Sequence, residues 1–178
     1  YMRNPAVVNI GGAGKTSDLI KQIVQWTTNN QKPTQLELVL SQYPDTQAII
    51  FVNTKRIVDH VSNLCHKMGY SVAAIHGGKS QDQREESLRG FKQGEYDILV
   101  ATDVAGRGID VKGIDLVVNY EMPLIIENYT HRIGRTGRAG RQGTAVSFLT
   151  AGDTDVMYEL KELLTNSGNS VPGELANN

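Results

Sequence analysis

The run Asp97-Ile98-Leu99-Val100-Ala101-Thr102-Asp103-Val104-Ala105-Gly106-Arg107-Gly108-Ile109-Asp110 passes directly from apolar to polar, glycine-rich composition. Its apolar part does not alternate with polar residues, which is the pattern of a strand buried on both faces of a parallel sheet. Ala48-Ile49-Ile50-Phe51-Val52 has the same character and opens onto Asn53-Thr54-Lys55-Arg56. Strands of this kind, each running into polar residues, predict an open α/β sheet whose chemistry gathers beyond the carboxyl ends of its strands.

The rest of the chain supplies alternating strand and helix signals. Ile20 to Thr27 reads as a strand. A helix opened by Pro33 follows, with Leu36, Val39, Leu40 and Tyr43 on one stripe and Pro44-Asp45 closing it. The spacing predicts a helix over Thr54 to Met68, buried along Ile57, Val61, Leu64 and Met68 and stopped by Gly69. Val72 to Ile75 is a strand leading into His76-Gly77-Gly78, and Ser80 is the N-cap of a helix reaching Phe91, with Gly94 beyond its end. Leu116 to Tyr120 and Thr144 to Leu149 are further strands, Ile125 to about Gly134 a helix, and Asp153 to Leu164 a helix with Val156, Leu160, Leu163 and Leu164 inward. Strand-helix units in series imply right-handed crossovers and a mostly parallel sheet with helices on both faces. The expected organisation is an entry segment at 1–17, one domain at 18–165, and a flexible tail at 166–178 rich in Asn, Ser, Gly and Pro.

Composition excludes several classes of function. A length of 178 residues, 39% hydrophobic and 21% charged, suits one globular domain. With 18 Lys+Arg against 19 Asp+Glu, any nucleic-acid contact has to come from a local patch and not from the field of the whole molecule. The single cysteine, Cys65, cannot form an intrachain disulfide and reads as a small core residue; no metal site with recognisable spacing can be built from it. No apolar run is long enough to cross a bilayer, and a chain starting at Tyr1 reads as a fragment of something longer.

Two stretches look made for phosphate. His131 to Arg141 places arginine at 132, 135, 138 and 141 and glycine at 134, 137 and 140. That repeat gives up local helix stability, about 1 kcal/mol per glycine relative to alanine, while concentrating planar cationic donors. Gly11-Gly12-Ala13-Gly14-Lys15-Thr16 imitates a phosphate-binding loop, but the signature wants its first glycine at position 9, which is Asn9. Such an enzyme also needs a strand-end acid for Mg²⁺, and the acid available, Asp103, sits inside a different motif. The loop reading is rejected on these grounds; replacing Lys15 with alanine and measuring nucleotide binding tests it.

Taken in order, Ile50 to Arg56, Gln81 to Arg84 in the form Gln-x-x-Arg, Ala101 to Asp110, and His131 to Arg138 resemble the second-domain motifs of DEAD-box RNA helicases, over roughly residues 18 to 165. Four ordered motifs at compatible spacing are far more specific than any lone glycine pattern. The resemblance implies a RecA-like three-layer sandwich, the second of two lobes that close over ATP and RNA, and inactive alone. The first lobe's phosphate loop and Asp-Glu-Ala-Asp box are missing from this sequence, so the Mg²⁺ that accompanies ATP would be held by that N-terminal lobe. The same resemblance implies that Arg135 and Arg138 are arginine fingers, that His131 couples nucleotide state to closure, and that Gly108, Asp110 and Asp103 lie on the nucleotide side, with Asp103 orienting the network. It assigns RNA-backbone contacts to Asn53, Thr54, Arg56, Gly77, Gly78, Arg84 and Thr102, and leaves Arg132 and Arg141 to hold their segment in place. The implied partners are single-stranded RNA or a short duplex and the N-terminal lobe. The segments Tyr1 to Pro5, Ile10 to Lys15 and Pro172 to Asn177 resemble the pre-mRNA-splicing members, which implies spliceosomal proteins and a nuclear location; other members are cytoplasmic.

Plainer readings stand beside these. Arg84 and Arg56 can be helix-surface ion pairs, Gly77-Gly78 a simple turn, and Thr102 a helix cap. His66 and His76 read as structural or solvated, and Arg107 fits an RNA contact, a loop brace or an interface contact equally well. The whole lobe can also be read as an RNA- or protein-binding module without chemistry of its own.

Overall fold

The computed structural model describes residues 19–103, 111, 113–137 and 142–177. Among these, six strands form one sheet in the order β1-β6-β5-β2-β4-β3, with every pairing parallel. The strands are β1 (Ile20–Trp26), β2 (Ala48–Val52), β3 (Val72–Ile75), β4 (Ile98–Thr102), β5 (Leu116–Asn119) and β6 (Gly143–Leu149). The helices are α1 (Lys32–Ser41), α2 (Lys55–Lys67), α3 (Gln81–Lys92), α4 (Ile126–Ile133), α5 (Thr154–Asn166) and the short α6 (Gly173–Ala176).

Alternation along the strands divides the core into two layers. Ala48, Ile50 and Val52 of β2 pack with Val118 of β5, Val146 and Phe148 of β6, Leu36, Val39 and Leu40 of α1, and Val58, Val61 and Cys65 of α2. Ile49 and Phe51 point the other way and meet Val117, Leu99, Ala101 and Phe91 of α3, while Ile20, Val24, Ala145 and Leu149 cover α4, α5 and α6 on that same side. Two helical layers around a parallel sheet make the three-layer RecA-like sandwich expected above.

The elements fall where the patterns put them, with three differences. In α2 the buried residues are Val58, Val61, Ser62 and Cys65, whereas Ile57 and Met68 only flank the cluster and Leu64 is half-buried. The helix is therefore rolled toward the side carrying Ser62, whose hydroxyl masks an otherwise regular i, i+3, i+4, i+7 stripe. In α5 Met157 joins Val156, Leu160 and Leu164 inside, and Leu163 packs at the margin. The third concerns the tail. Up to residue 177 it does not match the flexible segment its composition suggests: Leu175 is 1% exposed within the α5 cluster, and Asn169 Oδ1 accepts the Gln22 backbone N–H at 2.9 Å. One apolar residue in a short helical turn and one amide anchor what polar composition alone would leave loose. Ser80 caps α3 as expected, accepting from the Gln83 N–H while the Gln83 side chain accepts from the Ser80 N–H in return.

Candidate functional site

The register brings the polar strand ends together. Val52 pairs with Thr102, Ile75 with Ala101 and Phe51 with Asn119, so Asn53, His76, Asp103 and Tyr120 leave neighbouring strands at one edge. At that edge a cleft of about 540 Å³ is lined by Asn53, Lys55, His76, Gly77, Gly78, Thr102, Asp103 and Asn128. Five of these, Asn53, Gly77, Gly78, Thr102 and Asp103, are residues the motifs single out. Thr54 instead caps α2, its hydroxyl accepting from the Ile57 N–H at 3.4 Å. Arg56 is exposed on the first turn of α2, and Arg84, on α3, has its Nε buried without a hydrogen-bond partner among the described residues.

Arg132 organises the edge. It is 1% exposed, lies 5.4 Å over the Phe51 ring, and hydrogen-bonds in four directions. Its Nε and Nη2 donate to the two carboxylate oxygens of Asp103 at 2.6 and 2.8 Å. Nη2 also donates to Asn53 Oδ1 at 2.7 Å, and Nη1 donates to Asn119 Oδ1 at 3.2 Å and to the Glu121 carbonyl at 2.6 Å. A fully buried guanidinium is tolerated only when its donors are matched in this way. Asn53 is held at its other atoms as well: its Nδ2 donates to the Met122 carbonyl at 3.1 Å and its backbone N–H to Glu121 Oε1 at 2.8 Å.

The network continues beneath α4. Asn119 Nδ2 donates to Ser147 Oγ at 2.9 Å, and the Tyr129 hydroxyl donates to Gln22 Oε1 at 2.8 Å. Burial pushes the Tyr129 phenol above its ordinary range, with a hydrogen bond to Ser147 acting in the opposite sense. Tyr129, Arg132 and Ile133 thus form the inner face of α4 at i, i+3, i+4 spacing. His131 lies on its exposed side, and Arg135, half-buried, follows the capping residue Gly134. Arg135 is fixed through its main chain, since its N–H donates to the Arg132 carbonyl and its carbonyl accepts the Ile114 N–H, both at 3.2 Å. Thr136 then forms a parallel bridge with Ile114, and its hydroxyl donates to the Ile114 carbonyl. Gly137, at φ +81°, turns the chain in a conformation that side-chain-bearing residues rarely adopt.

Residues 31–140 match the model of the helicase conserved C-terminal domain. The chain belongs to this family, on its DEAD-box branch. The DEAD-box ATP-dependent RNA helicase 21 of Oryza sativa subsp. japonica is 52% identical over 99% of the chain and 24% of its own length. The pre-mRNA-splicing ATP-dependent RNA helicase PRP28 of Chaetomium globosum is 48% identical over 98% of the chain and 25% of its own length. Among solved structures, the RNA helicase Prp28 of Chaetomium thermophilum bound to ADP superposes with a TM-score of 0.80 at 45% identity, covering 88% of the chain and 39% of that structure. The chain therefore spans about a quarter of the length of these full-length relatives.

Within this helicase C-terminal domain, the expected roles of Asn53 and Asp103 meet a physical constraint. The Asn53 amide and both Asp103 oxygens are engaged by Arg132 and its neighbours, so these two side chains set the shape of the cleft floor. Arg138, Gly108 and Asp110 lie outside the described residues, as do Lys15, Arg107 and Arg141. Motif reading passed over Lys55, His76 and Asn128 as cleft residues. Lys55 carried a signal, because it sits between Thr54 and Arg56 in the first turn of α2, where an exposed cation faces the strand ends. For Asn128 the signal is helical phase: one residue before Tyr129 and four before Arg132, it falls on the flank of the buried face.

Proposed function

We propose that this domain is the second lobe of a two-lobed, ATP-dependent RNA helicase acting in pre-mRNA splicing in the nucleus. The observation that carries the reading is the Arg132 clamp, which fixes the start of α2, the end of β4 and α4 relative to one another. One rigid body then presents an RNA-facing cleft and, beyond α4, the residues aimed at nucleotide. Thr54, Arg56, Gly77, Gly78, Arg84 and Thr102 form the RNA side over a floor shaped by Asn53, reading the sugar-phosphate backbone through hydroxyl, amide and guanidinium groups and therefore without sequence preference. Arg135 and Arg138 reach the γ-phosphate held by the N-terminal lobe, Gly108 and Asp110 meet the ribose side, and His131 links closure to nucleotide state.

The donor set suits a phosphate contact more than a metal site. Arginine side chains follow α4, and among the described residues no group of three or more His, Cys, Asp or Glu side chains converges to hold a metal ion. Mg²⁺ is assigned to the N-terminal lobe, as the likeness to DEAD-box helicases implies. Bound ATP and Mg²⁺ would supply the scissile phosphoanhydride and its charge neutralisation; this chain's part is to bring guanidinium charge to the transferring phosphoryl group, worth about 10³ to 10⁵ in rate where such fingers act. The spliceosomal assignment is supported by the name of the PRP28 relative and by likeness to it over nearly the whole chain.

The test is reconstitution. The isolated chain should hydrolyse essentially no ATP, and joining it in cis to its N-terminal lobe should produce RNA-stimulated turnover. Full-rate hydrolysis by the chain alone would overturn the composite site. RNA-independent binding of a protein scaffold, with no turnover in the joined protein, would leave a docking module.

A further inference from the structure

We propose that His76 is a positioning residue for the RNA contact: its imidazole fixes the Gly77–Gly78 turn by accepting the Gly78 N–H at Nδ1. The inference rests on the reading above that this turn meets the RNA backbone. His76 is the first residue beyond β3, and the pairing of Ile75 with Ala101 sets it beside Thr102. The Gly78 N–H donates to Nδ1 at 3.0 Å, and the Lys79 N–H donates to the His76 carbonyl at 3.0 Å. Ring and carbonyl of one residue therefore tie down both amides that follow Gly77.

The two glycines are not equivalent. A Cβ at Gly78 would stand 3.0 Å from Cε1 and 3.1 Å from Nδ1 of the His76 ring, whereas a Cβ at Gly77 would meet nothing within 4 Å among the described residues. A side chain at 78 would press on the ring by a few tenths of an ångström, so the two glycines both line the cleft but only Gly78 is crowded by His76. The side chain of His76 is 12% exposed, with Nε2 directed at Asp59 Oδ1 3.9 Å away. Because Nδ1 accepts, the proton of the neutral ring sits on Nε2, toward that carboxylate. Asp59 of α2 faces the imidazole, and Lys55 and Asp103 line the same cleft.

Asparagine places its Oδ1 where Nδ1 of histidine sits, while glutamine places its oxygen near Nε2, so the pair separates acceptor geometry from bulk. The experiment follows the Gly78 amide resonance in the ¹⁵N-labelled chain and the affinity for a single-stranded oligouridylate in the protein carrying both lobes. His76→Asn should keep the amide shift and bind RNA within about 2-fold of the parent, whereas His76→Gln and His76→Ala should move it and weaken binding about 5- to 10-fold, the scale of one hydrogen bond. An unmoved Gly78 amide in His76→Gln and His76→Ala overturns the role of the ring, whatever RNA does. An amide that moves in both while RNA affinity stays constant overturns the RNA contact itself, and the proposal with it.

Discussion

Both carboxylate oxygens of Asp103 are taken by Arg132, Oδ1 by Nε at 2.6 Å and Oδ2 by Nη2 at 2.8 Å. This two-point contact joins the end of β4 to the last turn of α4 across 29 residues of sequence, and the arginine side is almost wholly buried. Removing one member of such a pair strands the other. Arg132→Ala should therefore destabilise the domain by about 3–5 kcal/mol in urea unfolding, and Arg132→Lys should recover little of it, because an ammonium cannot reproduce the fork.

Arg135 and His131 should behave in the opposite way. Neither is part of the buried clamp, and His131 is exposed, so alanine at either position should leave stability far closer to the parent than Arg132→Ala does. In the protein carrying both lobes, Arg135→Ala and Arg138→Ala should lower kcat by about 10³-fold or more while nucleotide-free RNA binding is largely spared. Steady-state ATPase assays alongside fluorescence anisotropy check the split; equal loss of both activities removes these arginines from the finger role.

Lys55 lines the cleft and brings a cation to it. RNA binding by the two-lobed protein should be indifferent to base sequence and should weaken steeply with salt. Lys55→Ala should lower affinity about equally for different homopolymers and flatten the log–log salt slope by about 0.7, the increment expected for one lost phosphate contact on a single strand.

Cys65 is fully buried, and burial pushes its thiol up to about 12. The native protein should react with alkylating reagents only as fast as it unfolds. In the unfolded chain the same thiol ionises near its ordinary value of about 8.5. Between there and about 12 the unfolded chain loses a proton that the fold retains, so this group's contribution to stability is intact below about 8.5 and is lost as pH rises through that window. Cys65→Ala should flatten the alkaline limb of stability against pH, at the cost of a small cavity.

The sheet was legible because β2 and β4 are runs of apolar residues with no alternation, and the motif edge was legible because polar residues follow each strand directly. Which arginine of the repeat points inward was harder to see. Residue type does not separate Arg132 from Arg135, but the phase of α4 does: Tyr129, Arg132 and Ile133 share one face, and Arg135 falls past the helix end. The roll of α2 was hidden by Ser62, a polar residue on a buried stripe. For Asn53, a motif position suggests contact with a ligand, yet nothing in a linear pattern records that Arg132, Met122 and Glu121 already occupy its amide and backbone.

The bond from Gln22 to Asn169 has a practical consequence. β1 is an outer strand of the sheet, and the Asn169 side chain occupies a backbone donor on its open side. An unguarded outer strand is a template for pairing with another molecule. Cutting the chain at residue 165, where composition suggests the domain stops, would uncover that strand and remove the buried Leu175 together. Such a truncation should self-associate, while a chain ending at 177 stays monodisperse, a difference that sedimentation velocity resolves in one experiment.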